Sequence, residues 1–70
     1  MTIEELKKLV GREYIYTAPN GLRFYTVIAD AKKSYGRDRI EIMPMSNGKF
    51  QFEDRAWIEL PADYENNLVK

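Results

Sequence analysis

Three short turn sequences divide the middle of this chain into strand-like segments. They are Pro19-Asn20-Gly21, Gly36-Arg37-Asp38 and Ser46-Asn47-Gly48. An Asn-Gly pair favours the positive φ angles of tight hairpin turns, which glycine adopts without steric strain. β-Branched and aromatic residues are frequent between these turns, and such residues favour strands. We therefore expect antiparallel strands that follow one another along the chain.

The first eleven residues carry the pattern of a short helix instead. Thr2 and Glu5 have the spacing of a capping box, in which the hydroxyl and the carboxylate each accept a backbone N–H bond. The apolar residues at helical spacing are Ile3, Leu6, Leu9 and Val10. Gly11 can adopt the left-handed conformation that ends a helix. We expect a helix within residues 1–11, packed through its apolar stripe over one open end of a β-barrel.

The two longest strand segments carry signs of irregularity. Residues 22–35 are long for one strand, and we expect a bend or bulge near Ala29–Ala31. In the returning strand, Ile40 and Ile42 share one face. Pro44 follows them, has no N–H to donate, and therefore belongs at an edge or a bulge.

The segment after the third turn decides the architecture. Phe50 and Phe52 alternate and are expected to point inward. Residues 53–56 separate two short strand-like pieces and suit one turn of 3₁₀ helix. Over about residues 12–60 this order of elements resembles the Src-homology-3-like small barrel, in which a single 3₁₀ turn precedes the fifth strand. The loop at residues 18–21 lacks the acidic residues of the peptide-binding members of that fold. We therefore assign no peptide-groove residues to this chain from the resemblance.

The expected fold is mainly β with some helix (α+β). It is a small, bent, five-stranded antiparallel barrel or roll with one N-terminal helix. We expect one domain over residues 1–70, with the helix in residues 1–11 and the barrel in residues 12–60. Residues 61–70 form a C-terminal tail or a short helix that begins at Pro61.

Several chemistries are excluded by the residue types that the chain lacks. It has no Cys and no His, so it has no disulfide, no thiolate metal site and no His-dependent base or nucleophile. Glu53 and Asp54 are expected to cap backbone amides or to pair with Arg55 rather than to catalyse a reaction. We expect neither enzyme activity nor a metal or other cofactor. The first residues hold no apolar run long enough for a signal peptide or a membrane span, and we expect a cytoplasmic protein without a membrane partner.

Large apolar side chains occur on both faces of the first two strands. Because side chains alternate between the faces of a strand, Tyr14 and Tyr16 lie on the face opposite Ile15 in the first strand. In the second strand, Tyr25 and Val27 lie on the face opposite Phe24 and Ile28. One small barrel cannot enclose both sets, so we expect the helix to cover most of the second face and the remaining patch to bind a protein. The protein-binding candidates are Tyr14, Tyr16, Tyr25, Met43 and Trp57, with Glu53, Asp54 and Glu59 as an acidic rim. For the Trp57 indole, filling the barrel mouth and anchoring an interface both stay open.

The second hairpin is basic and gives an alternative function. Residues 12–49 hold seven Lys or Arg against four Asp or Glu, whereas residues 50–70 hold two against five, so the two parts carry +3 and −3. The nucleic-acid-binding candidates are Lys32, Lys33, Tyr35, Arg37 and Arg39. Contact with phosphates and stacking on bases require these residue types. The competing interpretation is a solvated hairpin tip, with Asp30 and Asp38 balancing part of the charge.

The function expected from the sequence is therefore non-catalytic binding of a protein partner. Small Cys-free chains are common among bacterial and phage accessory or inhibitor proteins, and this base rate, rather than any motif, suggests that type. The alternative is a small barrel that binds nucleic acid through the basic hairpin at residues 32–39. A homodimer is a further arrangement, because open strand edges and surplus aromatic rings favour symmetric pairing.

Overall fold

A computed structural model describes residues 1–69 and contains, within them, one helix, five strands and two 3₁₀ turns. In chain order the elements are α1 Ile3–Lys7, β1 Glu13–Thr17, β2 Arg23–Ser34, β3 Arg37–Ser46, β4 Lys49–Phe50, the first 3₁₀ turn Phe52–Asp54, β5 Ala56–Glu59 and the second 3₁₀ turn Tyr64–Asn67. The predicted order of helix, hairpins and 3₁₀ turn is therefore confirmed. The predicted short helix after Pro61 is a 3₁₀ turn that starts at Tyr64.

All five strands pair antiparallel in a single bent sheet. The strand order is β1-β2-β3-β4. The edge of β3 that pairs with β4 near its C-terminal end also pairs with β5, at Arg39–Ile42. The sheet stays open, because β5 pairs with β3 and not with β1. The predicted mainly β fold with one N-terminal helix is thus confirmed as a roll, and "barrel" describes it only loosely. The resemblance to the Src-homology-3-like barrel stays a prediction.

The N-terminal helix is short but has the predicted cap. The Thr2 hydroxyl accepts the Glu5 N–H at 3.2 Å, and the Glu5 carboxylate accepts the Thr2 N–H at 3.1 Å. After Lys7 the chain continues in turns to Gly11, whose φ of +91° is the predicted left-handed end. The Gly11 N–H donates to the Ile28 carbonyl at 2.8 Å, which ties the end of this segment to β2.

The core lies on one face of the sheet, here called the inner face. Leu6 and Leu9 are buried against it, while Ile3 and Val10 remain 43% and 40% exposed. The predicted four-residue stripe is therefore too wide, because a five-residue helix turns only one side toward the sheet. The buried sheet residues of this cluster are Tyr14, Ile28, Ala31, Ile40 and Ile42. Residues packed around them are Tyr16, Ile58, Leu60, Tyr64 and Leu68.

A β-bulge in β2 changes which residues face the core. The register shifts between Ile28 and Asp30, which leaves Ala29 as the extra residue, within the predicted region. Before the bulge even-numbered residues point inward, and after it odd-numbered ones do, so that Ile28 and Ala31 are both buried. The Asp30 carboxylate accepts the Ala31 N–H at 2.8 Å and the Lys7 ammonium at 2.9 Å.

Pro44 explains why the strand opposite it is interrupted. The Gln51 N–H donates to the Pro44 carbonyl at 2.7 Å, but proline has no N–H to return the bond. The chain leaves the ladder at this point, forms the first 3₁₀ turn and rejoins β3 where Ala56 pairs with Ile42. Phe52 lies on that turn and is 63% exposed, so the prediction that it points inward is wrong.

The backbone groups of β1 and β5 alternate between the edge paired within the sheet and the outward edge. In an antiparallel ladder every second residue exchanges its hydrogen bonds with the same neighbour. Beside β1, the Ile28 N–H donates to the Arg12 carbonyl and the Ala18 N–H donates to the Leu22 carbonyl. The backbone groups of the even-numbered residues of β1 therefore bond to β2. The N–H and C=O groups of Ile15 and Thr17 therefore point away from β2.

The same alternation applies to β5. The Leu60 N–H donates to the Asp38 carbonyl, so the backbone groups of the even-numbered residues of β5 bond to β3. The N–H and C=O groups of Trp57 and Glu59 therefore point away from the sheet.

Amide hydrogen exchange checks this assignment of edges. We expect the amides of Trp57 and Glu59 to exchange at least about tenfold faster than that of Ile58, because a ladder bond adds about 1.4 kcal/mol or more to the opening free energy. Exchange measured by NMR on the free protein is the test. Protection of Trp57 and Glu59 equal to that of Ile58 would contradict an open β5 edge.

The ionised forms of two carboxylates stabilise the folded state, so the free energy of unfolding falls at low pH. The pKa of Glu5 is lowered, first by the bond from the Thr2 backbone N–H and then by its hydroxyl. The pKa of Asp30 is lowered, first by the bond from Lys7 and then by the Ala31 N–H. Because each folded pKa lies below the unfolded value of about 4, the stabilisation is complete above that value and is lost as the pH falls through the folded pKa.

Substitution of either carboxylate should therefore lower the melting temperature near neutral pH and have no effect in strong acid. We expect Glu5→Gln and Asp30→Asn to melt below wild type at about pH 6 and together with it at about pH 2. Circular dichroism melts at the two pH values measure the difference. Glu53→Gln, at an exposed position of the first 3₁₀ turn, is the matched control. A difference in melting temperature that persists in acid would refute the assignment.

Candidate functional site

The face of the sheet opposite the core, here called the outer face, carries a continuous apolar strip. Its members are Ile15, Tyr25, Val27, Met43 and Trp57. Ile15 pairs with Tyr25, and Val27 pairs with Met43. All five side chains are half-buried, shielded by their neighbours within the sheet. Within residues 1–69 no element packs over them, because α1 and the C-terminal segment both lie on the inner face.

This position of the helix corrects one expectation. The helix was expected to cover most of the second apolar face, but Leu6 and Leu9 pack on the face that already holds Tyr14 and Ile28. The opposite face consequently has no cover in the part of the chain that the structure describes.

Two polar contacts border the aromatic members of the strip. The Tyr25 hydroxyl donates to the Glu13 carboxylate on the neighbouring strand. The Lys32 ammonium lies 4.3 Å from the centre of the Trp57 ring, a cation–π contact. Both contacts hold an aromatic ring in place while leaving it at the surface.

Ion pairs add a charged rim. Arg55 lies 3.6 Å from Glu41, and Arg37 lies 3.5 Å from Glu59. The Arg37–Glu59 pair is exposed, and pairs of this kind contribute between about 0 and 1 kcal/mol, so a partner can replace it at little cost. The outer face thus has an apolar centre and an exchangeable charged border.

The predicted protein-binding residues divide between the two faces. Tyr25, Met43 and Trp57 belong to the outer face. Tyr14 is only 2% exposed and belongs to the core, where burial raises the pKa of its hydroxyl and the Asn67 side chain offsets part of that effect. Tyr16 is half-buried on the inner side, with its ring stacked 6.4 Å from that of Phe24.

Sequence reasoning did not single out Ile15 and Val27 as contact residues. The alternation of the strands contained the signal, because it separates both residues from the neighbours that enter the core. Their aliphatic side chains gave no reason to prefer contact over packing.

The basic hairpin residues are also divided, and the bulge is the cause. Lys32 and Arg39 pair across the outer face, and Arg37 lies on the same side. Lys33 points to the other side and lies 3.0 Å from Asp38. Tyr35 is fully exposed at the hairpin tip, with a φ of +52°. Three of the four cations thus share the outer face near Trp57.

A cleft occupies the gap between the open edges of β1 and β5, here called the seam cleft. Its volume is about 380 Å³. Its lining residues are Tyr14, Tyr16 and Thr17 from β1, Ile58 and Glu59 from β5, and Pro61, Asp63 and Asn67 from the C-terminal segment. The two charged residues among them, Glu59 and Asp63, are both acidic.

A smaller cavity of about 190 Å³ lies beside the seam cleft on the inner face. Tyr16 borders both spaces, and the smaller one continues past Phe24 to Pro44. Of the predicted acidic rim, Asp54 lines this cavity, Glu59 lines the seam cleft, and Glu53 is exposed on the first 3₁₀ turn.

Neither a metal site nor a membrane span is found in the described part of the chain. Within residues 1–69 no three carboxylates come close enough together to hold a metal ion. No helix formed by these residues is long and apolar enough to cross a bilayer. What the arrangement offers is surface: an apolar strip, a charged border and an acidic cleft.

Alanine substitutions should separate core tyrosines from surface tyrosines. We expect Tyr14→Ala to cost about 3–5 kcal/mol, which a domain of this size with only a few kcal/mol of stability cannot tolerate. Tyr25→Ala should cost about 1 kcal/mol and leave the protein folded. Urea unfolding followed by circular dichroism gives both values, and equal losses would contradict the division between the faces.

Comparison with known proteins identifies no relative. The chain matches no protein-family model, no curated protein and no solved structure. The function is therefore inferred from the outer face, the seam cleft and the distribution of charge.

Proposed function

We propose that this chain is a non-catalytic binding module of the cytoplasm that binds another protein through its outer face. The single observation that carries the proposal is the apolar strip of the outer face, which no element covers within residues 1–69. The absence of His and Cys from the sequence supports binding over catalysis.

The composition of the strip supports a protein as the partner. An antiparallel sheet with one face in water normally carries polar residues there, whereas Ile15, Val27 and Met43 are apolar. Contiguous apolar patches with polar borders commonly mark interaction sites. Tyr, Trp and Met are enriched at the centres of protein interfaces, and the flexible thioether of Met43 adapts to the shape of a partner.

Nucleic acid is the second candidate for the same face. The observation that favours it is the position of Lys32, Arg37 and Arg39 beside Trp57, where phosphate contact and base stacking could occur together. Within residues 1–69 the Arg39 Nε finds no acceptor although solvent does not reach it. Against this candidate, Arg37 already pairs with Glu59, Lys32 already covers one side of the indole, and the chain has no net charge.

Affinity capture from lysate of the cells that encode the chain tests the proposal. We expect wild type to recover a protein after nuclease treatment and Met43→Glu to recover at least about fivefold less, since removing one interface anchor costs about 1 kcal/mol or more. Val27→Thr is a second variant that keeps a β-branched side chain and should weaken recovery in the same direction.

The matched control is Leu22→Glu, an exposed apolar position in the turn before β2. It should recover the partner as well as wild type does, and circular dichroism melts should confirm that all variants are folded. Equal recovery by Met43→Glu and wild type would refute the outer face as the binding surface. Recovery that nuclease abolishes would favour nucleic acid instead. Sedimentation at twice the 8.2 kDa mass, lost in Met43→Glu, would identify a second copy as the partner.

A further inference from the structure

We propose that the seam cleft is a second binding site, which shares β5 with the outer face, for an extended peptide segment carrying a lysine or an arginine. The segment adds to the free edge of β5 as another strand, and its basic side chain enters the cleft between Glu59 and Asp63. Strand addition of this kind takes its affinity from backbone hydrogen bonds and its specificity from side-chain pockets.

The backbone of β5 provides the hydrogen-bonding edge. Trp57 and Glu59 both direct an N–H and a C=O away from β3, and they are two residues apart, as an added antiparallel strand requires. Thr17, beyond the bridge between Tyr14 and Leu68, directs the same groups into the gap from the β1 side. Two unpaired sheet edges therefore border the same space.

The chain already fills part of this gap with an extended segment of its own. Leu68 forms an antiparallel bridge with Tyr14, and the Val69 N–H donates to the Glu13 carbonyl at 2.9 Å. The β1 edge thus accepts an added strand at its start. Beyond this bridge, at Thr17, no described residue continues that pairing.

The charge of the cleft selects the side chain of the occupant. Glu59 and Asp63 line it, and none of the residues that line it is Lys or Arg. The half-buried Tyr16 lines the same cleft, and an aromatic face beside carboxylates suits an ammonium or a guanidinium group. Glu59 already meets one guanidinium, that of Arg37 at 3.5 Å, in an exposed pair that a competing cation can replace.

The same charge argues against a second copy of this chain at the β5 edge. Symmetric pairing of two β5 strands would bring together two copies of the segment 50–70, whose net charge is −3. Like charges in direct apposition oppose association. A basic segment of a different protein meets no such repulsion.

Peptides of one design test the inference. The probe is the nonapeptide Thr-Val-Thr-Val-Lys-Val-Thr-Val-Thr, and the matched peptides place norleucine or glutamate at the centre. A fourth peptide keeps the central lysine but is N-methylated at its five central residues, which removes the backbone donors and preserves the side chains. NMR titration up to about 1 mM follows the backbone amides of the protein.

The lysine peptide should shift the amides of Trp57 and Glu59 and protect them from exchange. The norleucine peptide should bind at least about tenfold more weakly, and the glutamate and N-methylated peptides should cause no shift. Glu59→Gln and Asp63→Asn should each reduce the preference for lysine over norleucine. Glu53→Gln, exposed outside the cleft, should retain it.

Three results would overturn the inference: no shift of these amides, equal affinity for the lysine and norleucine peptides, or shifts confined to Val27 and Met43. Met43→Glu separates the two sites, because it removes binding at the outer face and should leave binding of the lysine peptide unchanged. The seam cleft can therefore fail this test while the outer face passes its own, and the reverse also holds.

Discussion

A sheet has two faces, and residues 1–69 of this chain cover only one of them. The helix spans five residues and contributes Leu6 to the core, with Leu9 following in the turn after it. The C-terminal segment adds Tyr64 and Leu68 on the same side. Because both coverings lie on the inner face, the apolar residues of the other face stay at the surface. The open strip and the open seam are two consequences of this shortage of covering structure.

The bulge at Ala29 connects this constraint to the distribution of charge. By changing the alternation within β2, it keeps both Ile28 and Ala31 in the core. It also sends Lys32 to the outer face and Lys33 to the inner one. If the ladder continued without the bulge, Asp30 rather than Ala31 would pair with Ile40 in the core, where an unpaired carboxylate is costly. One inserted residue thus serves the core and supplies a cation to the border of the outer face.

Local features of the fold could be predicted from the sequence, and pairings between distant segments could not. The capping box at Thr2, the left-handed Gly11 and the bulge follow from rules that act within a few residues. The pairing of β5 with β3 instead depends on which edge was free after the chain left the ladder at Pro44. The identity of the covered face was equally hidden, since Tyr14 and Tyr25 are similar residues on opposite faces. Alternation separates two faces but does not say which one a helix will cover.

The two proposed sites share a strand, and this sharing has a thermodynamic consequence. β5 presents the Trp57 ring to the outer face and the Trp57 backbone to the seam. The strand has four residues, and β3 is its neighbour on one edge only. A segment added to the other edge would contact the same four residues that support the outer face, so occupancy of one site can change the affinity of the other. Linkage makes the effect reciprocal: whatever factor seam occupancy contributes to affinity at the outer face, occupancy of the outer face returns to the seam.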